Sequence, residues 1–527
     1  MSTVALLADA VTAASPLADA AGHAASPLAD AAHGAASPAD FMAARQQMAF
    51  TLGFHIVLAS IGIGLPAITL LAEWRALRTG DPVYAELARR WMKAAGVLFA
   101  VGAVSGTVLS FEMGTLWPGF MDKYGQVFGA AFALEGIAFF IEAIFMGIYL
   151  YGWDRLSPRV HFLTGIPVVI AGLLSASFVL TVNSWMNQPR GFKLVDGEVT
   201  DVNPLAAMFN PATPVQAVHL ILASLMVCGF IVASVYAVAL LRDHRAGRVD
   251  RYHRLGFAIP FSLGAVCAPL QVVVGDWAIR FVADNQPAKF AAMEGVEHTE
   301  AGVPFRFAVF EIPNALSMML KFDAHATLRG MDSIPADVRP PAEVVKTSFE
   351  IMIALGMALL ALAAWWALSW WLRRRAAGRT GDLDGRRELP WKPWFLRAAT
   401  LTGVAAAIAM EAGWTTTEVG RQPWIVYGVM RTEEAVNPSP GLRWGLYIVV
   451  GVYAVLAAAT ISVLRRMRRR PEPALPGGGT PAPPAAPEPP STGGPASGSG
   501  GPDAVPGSDS DDADSDSDSD SRVGSHR

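Results

Sequence analysis

Between residues 49 and 465 the chain alternates long apolar runs with polar stretches. Nine runs are long enough to cross a bilayer as helices, which takes about 20 residues each. They lie at 49–72, 92–113, 127–151, 162–185, 215–241, 255–275, 347–372, 394–418 and 441–465. The pattern predicts an all-α polytopic membrane protein with nine transmembrane helices. One long polar insertion, 276–346, divides a six-helix part (41–275) from a three-helix part (347–466). Ahead of these, residues 1–40 are Ala-rich, with AASP recurring at 13–16, 24–27 and 35–38. They are expected to be a disordered extension and not a signal peptide, because no Lys or Arg precedes their first apolar stretch. Residues 467–527 turn Pro/Gly-rich and then Asp/Ser-rich, a composition that cannot pack a core.

Basic residues alternate from loop to loop. Loop 73–91 carries Arg75, Arg78, Arg89 and Arg90; loop 242–254 carries five Arg; loop 373–393 carries six Arg and Lys392. Loop 114–126 has only Lys123, and a further Arg cluster follows the ninth run. Because basic loops stay cytoplasmic, the N-terminus is expected outside, the C-terminus in the cytoplasm, and the 276–346 insertion outside, in a cell membrane.

Composition agrees. Hydrophobic residues make up 52% and charged residues 16%, against about 25% charged in ordinary soluble domains. A soluble enzyme, a disordered protein and a nucleic-acid binder are excluded. The net charge of −4 is set by the tail, since 471–527 holds eight Asp, two Glu and two Arg. The remaining body is net positive. The two cysteines, Cys228 and Cys267, sit in apolar runs, and no C-x-x-C-H motif for covalent haem occurs.

Ionisable residues inside membrane helices are costly and point to function. Here they are His55, Glu112, Glu135, Glu142, His219, Glu350 and Glu411. On the expected topology His55, His219, Met352 and Glu411 fall within about two turns of the outer surface, on four different helices. Haem iron accepts His, Met or an oxygen ligand; a His/Met pair saturates it, whereas a lone His or Glu leaves a position open. Any one of these residues could equally bridge two helices, and a lone Met is ordinary packing. Glu135 and Glu142 are seven apart and so share a helix face, which suits either a buried pairing or a proton relay. Gly53, Gly62 and Gly64 read as close helix packing, and Trp365, Trp366, Trp370 and Trp371 as an interfacial belt. His23, His33, His298 and His325 lie in loops or tails and receive no role.

Specific motifs then carry a resemblance. RQQMAFTLGFH (45–55), ALEGIAFFIEA with GWDRL (133–156), SASFVLTVNSWMNQP (175–189), PVQAVH (214–219), VVGDWA (273–278), QPAKFAAMEG (286–295), EIMIALG (350–356) and EAGW followed by GRQPW (411–424) recur in order. From about Phe41 to Leu464 the chain resembles subunit I of cytochrome bd-type quinol oxidases, in the branch with a short quinol loop once called cyanide-insensitive. The resemblance implies a terminal oxidase that oxidises quinol and reduces O2 to water with charge separation. It implies a low-spin haem b on His219 and Met352, and two high-spin haems on His55 and Glu411. One of these is haem b and the other haem d or a third haem b. It further implies that Lys289 and Glu294 act in quinol oxidation within 276–346, that Glu135 and Glu142, near Ser175 and Asn183, carry protons, and that Arg421 contacts haem. A homologous subunit II is implied, with room for a small single-helix subunit. Many relatives have Arg two residues before the Met; Glu350 stands there instead, and the lost positive charge is expected to lower the low-spin potential.

Two other readings fit parts of the pattern. A haem b membrane electron carrier or anchor needs the His/Met pair but no open iron. A proton-coupled transporter would use Glu135 and Glu142, hold no haem, and carry an internal repeat across its helices, which the sequence does not display.

Overall fold

The computed structural model describes residues 37–307, 310–380 and 391–469; residues 1–36, the acidic tail and part of loop 373–393 lie outside the described residues. Among the described residues nine helices are long and apolar enough to cross a membrane. In chain order they begin with α1 (Pro38–Thr79), α2 (Pro82–Leu116), α3 (Pro118–Gly152), α4 (Pro158–Asn187), α5 (Ala212–Arg245) and α6 (Arg251–Asn285). A short helix α7 (Pro287–Glu294) follows, then α8 (Ala342–Thr380), then Pro393–Ala399 leading into α9 (Thr402–Val419), and last α10 (Leu442–Arg469). A bilayer leaves backbone groups no water to bond, so helices that satisfy their own are the stable solution.

Eight of the nine apolar runs each fall on one of these helices, to within a residue at 441, but the helices are longer than the runs because other signals set their ends. Proline occupies the first turn of α1, α2, α3, α4 and α7, where its missing N–H costs nothing and its fixed φ suits a helix. Ser37 accepts from the Asp40 N–H and Asp81 from the Val83 N–H, capping α1 and α2. Gly80, at φ 68°, closes α1 with its N–H on the Ala76 carbonyl.

Two boundaries depart from hydropathy. α6 continues through 276–285, ten residues into the polar insertion. It stops at Gln286, whose helical conformation the following Pro287 disfavours. The eighth run is interrupted at Thr400–Leu401 instead of forming one helix. Beyond α6 the insertion folds as α7, a helix Ala315–Lys321, and two-stranded ladders pairing 300–301 with 327–328 and 305–307 with 310–312. Phe290, Val296, Val303, Leu316 and Leu328 give it a small core of its own.

α1 packs against α2, α4, α5 and α10, while α9 packs against α5 and α8. Two apolar cores result. One, around Ile68, Leu87, Tyr149, Phe230, Phe261 and Phe395, lies toward the ends that carry the Arg-rich loops. The other, around Phe120, Tyr124, Phe128, Trp185 and Val426, lies toward the opposite ends. Trp366 is not an interfacial residue: it is 6% exposed and stacks on Phe395 with centroids 5.5 Å apart, whereas Trp365, Trp370 and Trp371 are exposed. Gly64 is a close-packing glycine, since a Cβ there would fall 2.3 Å from the Cys228 Cβ on α5. Gly62 faces open space, and Gly53 faces Glu411.

Candidate functional site

Residues of α1, α2, α3, α4, α5 and α9 line a half-open cavity of about 870 Å3. Its walls include His55, Glu135, Glu142, Ser175, Asn183, Glu411 and Arg421. Five of the nine sequence-predicted site residues therefore share one space: His55, Glu135, Glu142, Glu411 and Arg421. His219, Met352, Lys289 and Glu294 lie outside its walls.

His55 is oriented by Ser105, whose hydroxyl is 2.9 Å from Nδ1. The ring lies on Gly106 of α2, where a Cβ would come within 3.2 Å of Cε1. That leaves Nε2 as the nitrogen not engaged by Ser105, an arrangement familiar from metal-binding imidazoles. Glu411 lies across Gly53, two residues before His55, with Oε2 3.3 Å from where a Cβ would be. Met352 rests on the α9 backbone at Gly413, its Sδ 2.7 Å from that glycine's would-be Cβ. Glu142 faces Gly172 of α4, its Oε1 3.1 Å from the same point. A glycine thus makes room for each of four predicted side chains. The notches were not legible, because the partner of each glycine sits on another helix.

Among the described residues, His219 Nδ1, Glu411 Oε1, Trp414 Nε1, and Arg421 Nε and Nη1 are buried without a hydrogen-bond partner, as are single atoms of Gln47, Glu112, Tyr124, Gln188, Gln216 and Gln271. A buried donor or acceptor left unpaired costs about 1–3 kcal/mol. A group bearing both a metal ion and carboxylates would offset that cost here. Imidazole, thioether and an oxygen donor are haem-iron ligands, and a guanidinium suits a propionate. The residues present fit haem.

Arg421, 3% exposed, donates from Nη2 to Glu418 Oε2 at 2.6 Å, and Asn183 Nδ2 donates to Glu418 Oε1 at 2.6 Å. Beside this pair α7 brings in Lys289, whose Nζ donates to Asn187 Oδ1 at 2.8 Å. Gln286 Nε2 donates to the Asn187 carbonyl at 2.8 Å. Burial, reinforced by the Arg421 charge and opposed by Glu418, draws the Lys289 ammonium down to about 7. Burial also pushes Glu294 up to about 7, with the Glu350 charge adding to the rise and Lys346 opposing it. Lys289 and Glu294 are 3% and 7% exposed, so both sit beneath the folded insertion.

Glu112 is buried and accepts from Gln47 Nε2 at 2.9 Å and Thr51 Oγ1 at 3.1 Å. Sequence reasoning missed Glu418 and Asn187. Glu418 stands seven residues after Glu411, a helical repeat that could have found it. Asn187 lies within the 175–189 motif but carries no charge to mark it. It also missed Glu73, Tyr149 and His161, which meet near the Arg-rich ends.

The family described as cytochrome bd terminal oxidase subunit I matches residues 43–472. A Bacillus subtilis (strain 168) protein, whose name marks it as an inferred cytochrome bd menaquinol oxidase subunit I, is 34% identical over 437 residues, covering 81% of this chain and 96% of its own. Cytochrome bd ubiquinol oxidase subunit 1 of the same organism is 30% identical over 457 residues, covering 81% of this chain and 93% of its own. The solved bd oxidase from Geobacillus thermodenitrificans superposes with a TM-score of 0.72 at 35% identity, over 82% of this chain and 99% of that one. The chain belongs to the cytochrome bd terminal oxidase subunit I family.

Proposed function

We propose that this chain is subunit I of a terminal respiratory oxidase that oxidises quinol and reduces O2, working with a subunit II in the cell membrane. The observation that carries the reading is the set of unpartnered buried atoms on His219, Glu411, Trp414 and Arg421, of ligand and propionate-binding types. His219 and Met352 would hold a low-spin haem b, and His55 and Glu411 two high-spin haems, one of them d or a third b. Bound there, the haems supply electron transfer and O2 reduction.

The protein's own groups do the rest. Gly53, Gly106 and Gly413 let the ligand side chains lie against backbone, which fixes their directions. Ser105 holds the His55 ring by Nδ1. The basic loops set the N-terminus and the insertion on the outer side. Quinol binds there under the insertion. Lys289 and Glu294, both poised near neutrality, accept or steer its protons, and a group with pKa near the working pH is the efficient choice. Glu142 and Glu135 carry protons from the cytoplasmic side. Protons released outside and taken up inside separate charge without a pump. Replacing His219 by Ala removes the low-spin haem b signal from the optical spectrum; an unchanged spectrum would refute the assignment.

A further inference from the structure

Glu73 of α1, Tyr149 of α3 and His161 of α4 meet in the core near the Arg-rich helix ends, exposed by 4%, 1% and 2%. His161 Nε2 is 3.0 Å from the Tyr149 carbonyl. A carbonyl only accepts, so Nε2 carries a hydrogen. His161 Nδ1 is 2.6 Å from Glu73 Oε1, and the Tyr149 hydroxyl donates to Glu73 Oε2. One hydrogen must therefore lie between Nδ1 and Oε1, on either atom. The pair is neutral in both forms, as imidazolium with carboxylate or imidazole with carboxylic acid. Removing that hydrogen would set two lone pairs face to face and leave a buried, unpaired carboxylate, which is strongly unfavourable. The geometry thus has room for one proton shared between Glu73 and His161.

Its placement continues a line already described. Glu135, Glu142 and Tyr149 follow one another at intervals of seven on one face of α3, about 10 Å per step. The facing helix repeats the interval: Glu142 lies on Gly172, and Tyr149 lies on Gly165, its ring 2.7 Å from a would-be Cβ. Buried Met146 and Val168 pack in the apolar core that also holds Tyr149. Passage between the two levels therefore needs water admitted as side chains such as the flexible Met146 move. On the other side Trp153 covers the cluster, its ring 4.0 Å from the His161 ring. Arg89 lies 5.0 Å above Trp153 and pairs with exposed Asp154 at 2.8 Å.

We propose that Glu73, His161 and Tyr149 form a one-proton store at the cytoplasmic end of the α3 line, which delivers to Glu142 and refills from the aqueous phase past Trp153 and Asp154. This rests on the reading of Glu142 and Glu135 as proton carriers. In delivery the shared hydrogen leaves as a proton and protonates the Glu142 carboxylate. The negative charge left on Glu73 is neutralised when a proton enters from water.

The test uses the complete two-subunit oxidase in liposomes. Fully reduced enzyme is mixed with O2, and proton uptake is followed with a pH dye at several internal pH values. In wild type the store protonates Glu142 and is itself refilled from water, so uptake depends only weakly on internal pH. Glu73→Gln and His161→Phe slow uptake about tenfold, at the low end for loss of a positioned proton-transfer group. They also make uptake follow internal pH while haem spectra stay intact. If either variant loses its haems, Tyr149→Phe, which removes only the hydroxyl, shows the same pH dependence with a smaller slowing. Spectrally intact variants with wild-type uptake would reduce the cluster to a clamp between three helices and overturn the proposal. Glu142→Gln is the control: if it slows uptake and Glu73→Gln does not, the store fails and the α3 line stands. If neither slows it, both fail.

Discussion

Two groups of buried polar side chains, carried partly by the same helices, differ in whether their hydrogen bonds close. Near the Arg-rich ends, Glu73, Tyr149 and His161 partner one another's side-chain polar atoms. Toward the opposite helix ends, His219, Glu411, Trp414 and Arg421 retain buried atoms without a partner, although of these four side chains only Arg421 is as buried as that cluster. The first cluster is complete within the chain. The second would be completed by the proposed haems, which bring metal and acid oxygens. Buried polar atoms are nearly always satisfied, so open bonds on ligand-type side chains are what the proposed haems would close, and the closed cluster is where the proposed proton store lies.

The largest effect that separates the two regions should come from the ligands. His219→Ala or Met352→Leu should abolish quinol oxidation, beyond the roughly 100-fold loss that changes behind a metal ligand cause. Haem content measured by pyridine haemochrome should fall by one haem b. Equal haem loss from a substitution at Glu73 would erase the contrast. The next effect falls on the quinol side. Lys289 is cationic below about 7, and Glu294 becomes an anionic acceptor above about 7. If Glu294 takes the quinol proton, kcat/KM rises as pH passes upward through about 7. Glu294→Gln should lower kcat/KM on the order of a hundredfold and flatten that limb. A variant that keeps the wild-type pH profile would assign the acceptor elsewhere.

Smaller effects probe the glycine notches. Gly413→Ala places a methyl 2.7 Å from Met352 Sδ, which should shift the low-spin band and potential while haem content holds. Gly172→Ala presses on Glu142 at 3.1 Å and should slow proton uptake a few-fold with spectra unchanged. Gly64→Ala sits outside both regions against the Cys228 Cβ. It should cost about 1–3 kcal/mol by overpacking, read as a lower melting temperature with no spectral change. A spectral change there would mean that packing and haem site are not separable.

The nine spans were legible because twenty-residue apolar runs have few other meanings in a chain this poor in charge. Their ends were not, since first-turn prolines and caps start helices ahead of the apolar segment, and α6 runs on past it to Asn285 before Pro287. The proposed ligands His55, His219 and Glu411 were legible as ionisable groups at membrane depth, Met352 only through its motif, and the motifs carried the family. What the sequence hid were pairings across helices. Glu73 sits near the end of its run and passes for a surface acid. His161, at the start of α4, passes for a loop residue. Only their packing against Tyr149 makes them a unit. Trp366 was misread for the same reason, because burial against Phe395 depends on a helix thirty residues away.

The most direct measurement is a reduced-minus-oxidised optical spectrum of the purified two-subunit complex, with and without CO, for wild type and His219→Ala. The account predicts haem b bands with a CO-sensitive component in wild type, and a far-red chlorin band if haem d is present. In the variant it predicts loss of the low-spin b component with the CO-sensitive component retained. Wild-type protein without haem, or with haem that does not bind CO, would contradict it.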